Sequence, residues 1–141
     1  MNTLKYHLDS HRLKSFLSIE KTINDAVKIM KENNDSFVIV QDQGQCVGIF
    51  TESDLKNRVV AKNLSLDSTT LGTVMTENVV FFNIEDSIDE SLDKLDNNNF
   101  RHLPIIKNGK VVAVLTARNL LKVALKQIAE EREQLMEYIT T

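Results

Sequence analysis

Cysteine occurs once in these 141 residues, at Cys46, so a disulfide within the chain and a zinc site built on cysteines are both excluded. Glycine is nearly as scarce. Gly44, Gly48, Gly72 and Gly109 stand apart from one another, and no glycine-rich loop of the Walker or dinucleotide type is present. Long apolar runs are missing too. Val111–Leu115 is only five residues, far short of the ~20 that cross a bilayer. Residues 1–11 carry no apolar core of a secretion signal. Nor is there a surplus of basic charge: 17 Lys and Arg against 20 Asp and Glu give −3. A nucleic-acid binder normally needs that surplus to neutralise phosphates. The expectation is a protein of the reducing cytoplasm with neither membrane nor nucleic acid as partner.

What the chain does have is a repeat. Setting Phe16 on Phe81 gives an offset of 65 that holds without a gap to Val60 and Leu125, and ten of the 45 aligned pairs are identical. Ile19 meets Ile84, Glu20 meets Glu85, Ile23 meets Ile88, Gly44 meets Gly109, Thr51 meets Thr116 and Leu55 meets Leu120. A chance match would need gaps to stay in phase, so this is a duplication.

Both copies predict the same order of elements. A short strand (14–17; 79–82) leads into a helix with apolar residues at helical spacing, Ile23, Ala26, Val27 and Met30 in one, Ile88, Leu92 and Leu95 in the other. Thr22 and Ser87 stand at the N-cap, with Asp25 and Glu90 three residues on, as in a capping box. Asn33-Asn34 and Asn98-Asn99 end these helices, because Asn tolerates the left-handed conformation. Two apolar runs then flank Gln43-Gly44 and Asn108-Gly109, a hairpin signal. A second helix begins at Glu52 and at Ala117.

The fold expected is α/β (α+β): two pseudo-symmetric β-α-β-β-α copies packed sheet to sheet, since a copy of about 50 residues buries too little apolar surface alone. The divisions are an N-terminal segment (1–13), the first copy (14–61), a polar linker (62–73), the second copy (74–126) and a helical extension (127–141). In that extension Leu121, Leu125, Ile128, Leu135 and Ile139 form a heptad-like stripe interrupted by Arg132. It suits packing on its own domain, or on residues 4–13, as well as a dimer contact.

Val47-Gly48-Ile49-Phe50-Thr51-Glu52-Ser53-Asp54-Leu55 and Val112-Ala113-Val114-Leu115-Thr116-Ala117-Arg118-Asn119-Leu120 resemble the signature of the CBS-domain family. Val74-Met75-Thr76 and Arg101-His102-Leu103-Pro104-Ile105 match it too, and the resemblance covers residues 16–126. It implies a tandem pair, or Bateman module, with two related clefts that take adenosyl ligands such as AMP, ADP, ATP or S-adenosylmethionine. The acidic residue of the [ST]-x-x-[DN] motif would accept from ribose hydroxyls, its Ser or Thr would meet ribose or phosphate, and basic residues before the hairpin would hold phosphate. The chemistry is sound, since two carboxylate oxygens match a vicinal diol and a helix N-terminus offers free N–H groups to phosphate. The same Thr-x-x-Asp spacing is also that of a capping box.

The two copies are not equal. The first keeps Thr51 and Asp54, but Asp35 and Ser36 precede its hairpin and Ser53 stands where a cation would help. The second offers Arg101, His102 and Arg118 as cations, with Arg forking onto phosphate and His titrating near neutrality. Asn119 replaces the acid there, and Ala113 replaces the family's glycine. A phosphorylated adenosine ligand is therefore expected at the second copy, and nothing or a less charged adenosyl group at the first. Arg101 and Arg118 equally suit a solvated surface, and His102 a structural role at a strand edge.

No catalytic residues are expected, since no nucleophile-base pair can be drawn from the spacing. His7 and His11 lie four apart without an obvious third ligand, so no metal site is expected. Cys46 falls in an apolar strand and reads as core. The expected protein is a regulatory sensor, with a homodimer and an unidentified protein target as partners. The rival reading is a ligand-free scaffold for dimerisation or docking.

Overall fold

The computed structural model describes residues 3–8, 13–97 and 101–140. Asn98-Asn99 and His11 lie outside the described residues. The chain forms two compact units, residues 13–79 and residues 3–8 with 80–140.

The first unit contains β1 (Phe16–Ser18), α1 (Ile23–Asn33), β2 (Phe37–Asp42), β3 (Gln45–Thr51), the single turn α2 (Glu52–Asp54) and α3 (Leu71–Val74). Its sheet runs β1-β2-β3, with β1 parallel and β3 antiparallel to β2. The second unit repeats the pattern with β4 (Phe82–Asn83), α4 (Ile88–Asn97), β5 (His102–Lys107), β6 (Lys110–Thr116) and α5 (Ala117–Thr140), and its sheet runs β4-β5-β6. Each hairpin turns on two residues in the left-handed region, Gln43 and Gly44 at φ 51° and 78°, Asn108 and Gly109 at 52° and 77°. That is the type I′ turn, whose twist matches the strands it joins. The leading strands are shorter than expected and begin two and three residues later than the apolar pattern suggested.

Local signals account for the helices. Thr22 and Asp25 form both halves of a capping box, and Asn34 closes α1 in the left-handed conformation. Ser87 accepts from the Glu90 N–H at 3.0 Å in the second unit. Beyond α2 the helix widens into a π-helical stretch over Leu55–Val60.

Each unit has its own core. In the first, Ile23, Ala26, Val38, Val40 and Phe50 are buried together with Leu71 and Val74. In the second, Phe82, Ile88, Leu103, Ile105 and Leu120 are buried together with Leu4. Leu71 comes from the stretch read as linker, and Leu4 from the N-terminal segment. The two play the same part. The Leu71 N–H donates to Lys21 O at 2.8 Å and Gly72 N–H to Ile19 O at 3.2 Å. Leu4 N–H donates to Asp86 O at 2.9 Å and Lys5 N–H to Ile84 O at 3.0 Å. Those acceptors are repeat-related pairs, so 3–7 packs on the second unit as 70–74 packs on the first. A segment preceding one copy in sequence completes the core of the other. The stripe on α5 does not pack on its own unit: only Leu120 and Ala124 of that helix are buried.

Candidate functional site

In both units the second strand of the hairpin hands over to a helix at a corner, and the paired motif residues occupy that corner. In the first, the Thr51 hydroxyl accepts from Asp54 N–H at 3.2 Å, and the Asp54 carboxylate accepts from Thr51 N–H at 3.0 Å. In the second, Thr116 accepts from Asn119 N–H at 3.0 Å, and Asn119 Oδ1 accepts from Thr116 N–H at 3.0 Å. Both motifs are thus capping boxes, and an Asn carbonyl oxygen fills the acid's place without loss of the backbone bond. Each corner is tied to the residue before its hairpin. Glu52 N–H donates to Ser36 O at 3.1 Å, and Ala117 N–H to Arg101 O at 2.9 Å.

What surrounds the boxes differs. Asp54 is only 7% exposed. Its carboxylate also accepts from the Thr51 hydroxyl at 3.2 Å and from the Thr76 hydroxyl at 3.2 and 3.3 Å. Arg58 Nε lies 3.6 Å from Asp54 Oδ1, while its Nη1 donates to Met75 O at 2.7 Å and Val74 O at 3.3 Å. Three hydrogen-bond donors therefore converge on this carboxylate, chiefly on Oδ2, and the Arg58 guanidinium stands beside Oδ1, leaving fewer of its roughly four acceptor sites for a ribose diol. Arg58 lies four residues from Asp54, a spacing visible in sequence. Thr76 lies 22 residues away and only the fold brings it there.

The same segment explains Gly48. Met75–Thr76 runs against β3, with Ile49 and Thr76 exchanging backbone hydrogen bonds of 3.0 and 2.8 Å. A Cβ on Gly48 would lie 2.5 Å from Met75 Sδ and 2.9 Å from Thr76 O. The repeat-related Ala113 is half-buried on β6 and packs against the second core.

At the first corner Ser36 is half-buried, and the neighbouring Asp35 accepts from the buried Ser15 hydroxyl at 2.6 Å, which in turn accepts from Asn33 Nδ2 at 3.0 Å. At the second corner Arg101, Arg118 and Asn119 are exposed, while His102, the first residue of β5, and Thr116, the last of β6, are half-buried and paired in register. The structure therefore brings Arg101, His102, Thr116, Arg118 and Asn119 together at one corner, and Ser36, Thr51 and Asp54 at the other.

A family model described as the CBS domain matches residues 15–61 and 71–126. The chain belongs to the CBS-domain family. It is 40% identical over 106 residues to an uncharacterised 17.7 kDa protein of Acidianus ambivalens, covering 74% of this chain and 63% of that one. It is 32% identical over 126 residues to the CBS domain-containing protein CBSCBSPB2 of Arabidopsis thaliana, covering 87% of this chain and 24% of that one. The chain thus spans about a quarter of that plant relative. Among solved structures, a proposed signal-transduction protein with CBS domains from Burkholderia ambifaria superposes with a TM-score of 0.76 at 28% identity, covering 87% of this chain and 90% of that one. The protein is a CBS-domain pair, a class of regulatory and signalling module.

Cys46 is half-buried and donates to Gly48 O at 3.6 Å. Burial pushes its thiol up, against the smaller opposing effect of that hydrogen bond, which is the direction of an inert structural cysteine. Among the described residues no group of three or more His, Cys, Asp or Glu is placed to hold a metal, and no helix is long and apolar enough to cross a membrane.

Proposed function

We propose that this CBS-domain pair is a regulatory sensor of an adenine nucleotide, AMP, ADP or ATP, with the nucleotide seated at the corner where β6 meets α5. The observation that carries the reading is the open capping box of Thr116 and Asn119, flanked by exposed Arg101 and Arg118. Asn119 accepts from one ribose hydroxyl and donates to another atom. The two arginines and His102 take the phosphates, helped by the partial positive charge at the start of α5. The first corner is the poorer site, because the buried Asp54 already accepts from Thr51 and Thr76; a less charged adenosyl group such as that of S-adenosylmethionine is its best candidate. Ligand acts by favouring one packing arrangement of motifs or subunits, by no more than its differential affinity for the two. The protein works in the cytoplasm as a homodimer and binds rather than catalyses, passing its signal to a protein target.

Titration calorimetry of nucleotide-stripped protein with AMP, ADP, ATP and S-adenosylmethionine tests this. Saturable micromolar binding, about −8 kcal/mol, lost at least tenfold in Asn119→Ala, is the expected result. No heat and no thermal shift with any of the four would favour the ligand-free scaffold instead.

A further inference from the structure

Beyond Ala124, α5 continues for 16 residues, about 24 Å at 1.5 Å per residue. Leu121, Leu125, Ile128, Arg132, Leu135 and Ile139 follow one another at alternating steps of four and three, the spacing of a two-helix seam. The five apolar members are 51–68% exposed. A continuous stripe of this kind on one helix marks an interaction surface.

The charge along the helix identifies what covers it. Residues 117–128 carry Arg118, Lys122 and Lys126 and no acid, a net +3. Residues 129–140 carry Glu130, Glu131, Glu133 and Glu137 against Arg132, a net −3. The helix is therefore the electrostatic complement of itself reversed. We propose that α5 pairs with α5 of a second copy, antiparallel, about a centre at Glu130.

In that register Leu121 layers with Ile139 of the second copy, Leu125 with Leu135 and Ile128 with Arg132, so all six seam positions are used. The basic half of each helix then lies along the acidic half of the other. Near the centre the two Ala129 side chains allow close approach. A parallel pair would instead stack Arg132 on Arg132 in one layer and set the acidic halves side by side, both unfavourable. The acidic outer half also opposes an anionic membrane surface. This inference deepens the dimeric part of the function proposed above and does not depend on nucleotide.

Sedimentation of the full chain and of Leu125→Glu tests the surface; Leu125 is 66% exposed, so the fold should be unaffected, which an unchanged melting temperature checks. A dimer whose Kd rises at least 100-fold in the variant is expected. A monomeric parent at 100 μM or so overturns both the dimer and the pairing, whereas a dimer indifferent to the variant overturns the pairing alone. Direction is read by oxidising a mixture of two Cys46→Ser chains, one carrying Leu125→Cys and the other Leu135→Cys. A disulfide between the two kinds of chain is expected. Disulfides only within each kind would make the helices parallel and overturn the proposal. Nucleotide titration of Leu125→Glu keeps the two questions apart, because loss of the dimer with binding retained leaves the sensor reading standing.

Discussion

Replacing Leu4 by Ala is the sharpest test of how this chain completes its second unit. Leu4 is 0% exposed and lies in one cluster with Phe82, Ile88, Leu103 and Leu120. Truncating a fully buried leucine removes its transfer free energy and leaves a cavity, together roughly 2–5 kcal/mol. For a chain of this length that is a fall in melting temperature of about 6–15 °C. Lys5→Ala is the control. Lys5 is exposed and its ion pair with Glu85 spans 3.8 Å, a surface contact worth at most about 1 kcal/mol. Scanning calorimetry of the two variants and the parent separates the possibilities. If Leu4→Ala costs less than ~1 kcal/mol, no better than the control, the N-terminal segment does not hold the second core and the symmetry with Leu71 is only geometric.

Three further outcomes follow from the same geometry. Gly48→Ala should destabilise by about 1–3 kcal/mol, because its Cβ meets the Met75 side chain and Thr76 backbone, while Ala113→Gly should cost only about 1 kcal/mol for a glycine in a strand; urea denaturation of both decides it, and equal losses would refute the steric account. Asp25 is held below the ordinary carboxylate value of 3.8 chiefly by the Thr22 backbone N–H, then by its hydroxyl. Its folded pKa is the lower one, so its stabilisation is present above pH 3.8 and fades as acid takes the pH down through the folded value. In Asp25→Asn the acid limb of the stability curve should flatten in that window, and an unaltered limb would mean the box contributes nothing there. Finally, Arg58→Ala should free one side of Asp54 and loosen residues 74–76, seen as faster amide exchange at Met75 and Thr76; unchanged exchange would show that the guanidinium does not hold that segment.

Much of this protein is legible in its sequence because the relevant physics is local. Thr22 and Asp25 announce a helix start three residues apart, and Asn34 its end. Gln43-Gly44 and Asn108-Gly109 require left-handed backbone and so specify tight hairpins. The 65-residue offset relates one copy to the other, and Thr51/Asp54 and Thr116/Asn119 mark both strand-to-helix corners. A motif that spans four residues folds the same way wherever its neighbours lie, which is why Thr116 and Asn119 cap their helix as Thr51 and Asp54 do.

What the sequence alone left open are contacts between residues far apart in the chain. Nothing in Leu4 or Leu71 by itself says which core it enters, because any exposed-looking leucine satisfies a burial pattern somewhere. Only the fold shows that each completes the copy that it does not precede. The same is true of Asp54. Its place in the family's motif implies a ribose contact, while only the fold brings Thr76, 22 residues on, and Arg58, held by the Val74 and Met75 carbonyls, against its carboxylate. The stripe on α5 is the converse case. Its spacing was visible from the start, and tertiary structure decided its meaning by burying Leu120 and Ala124 while leaving Leu121, Leu125 and Ile128 in solvent. Periodicity determines that a helix has an apolar face; which surface lies against that face depends on the whole arrangement of the chain.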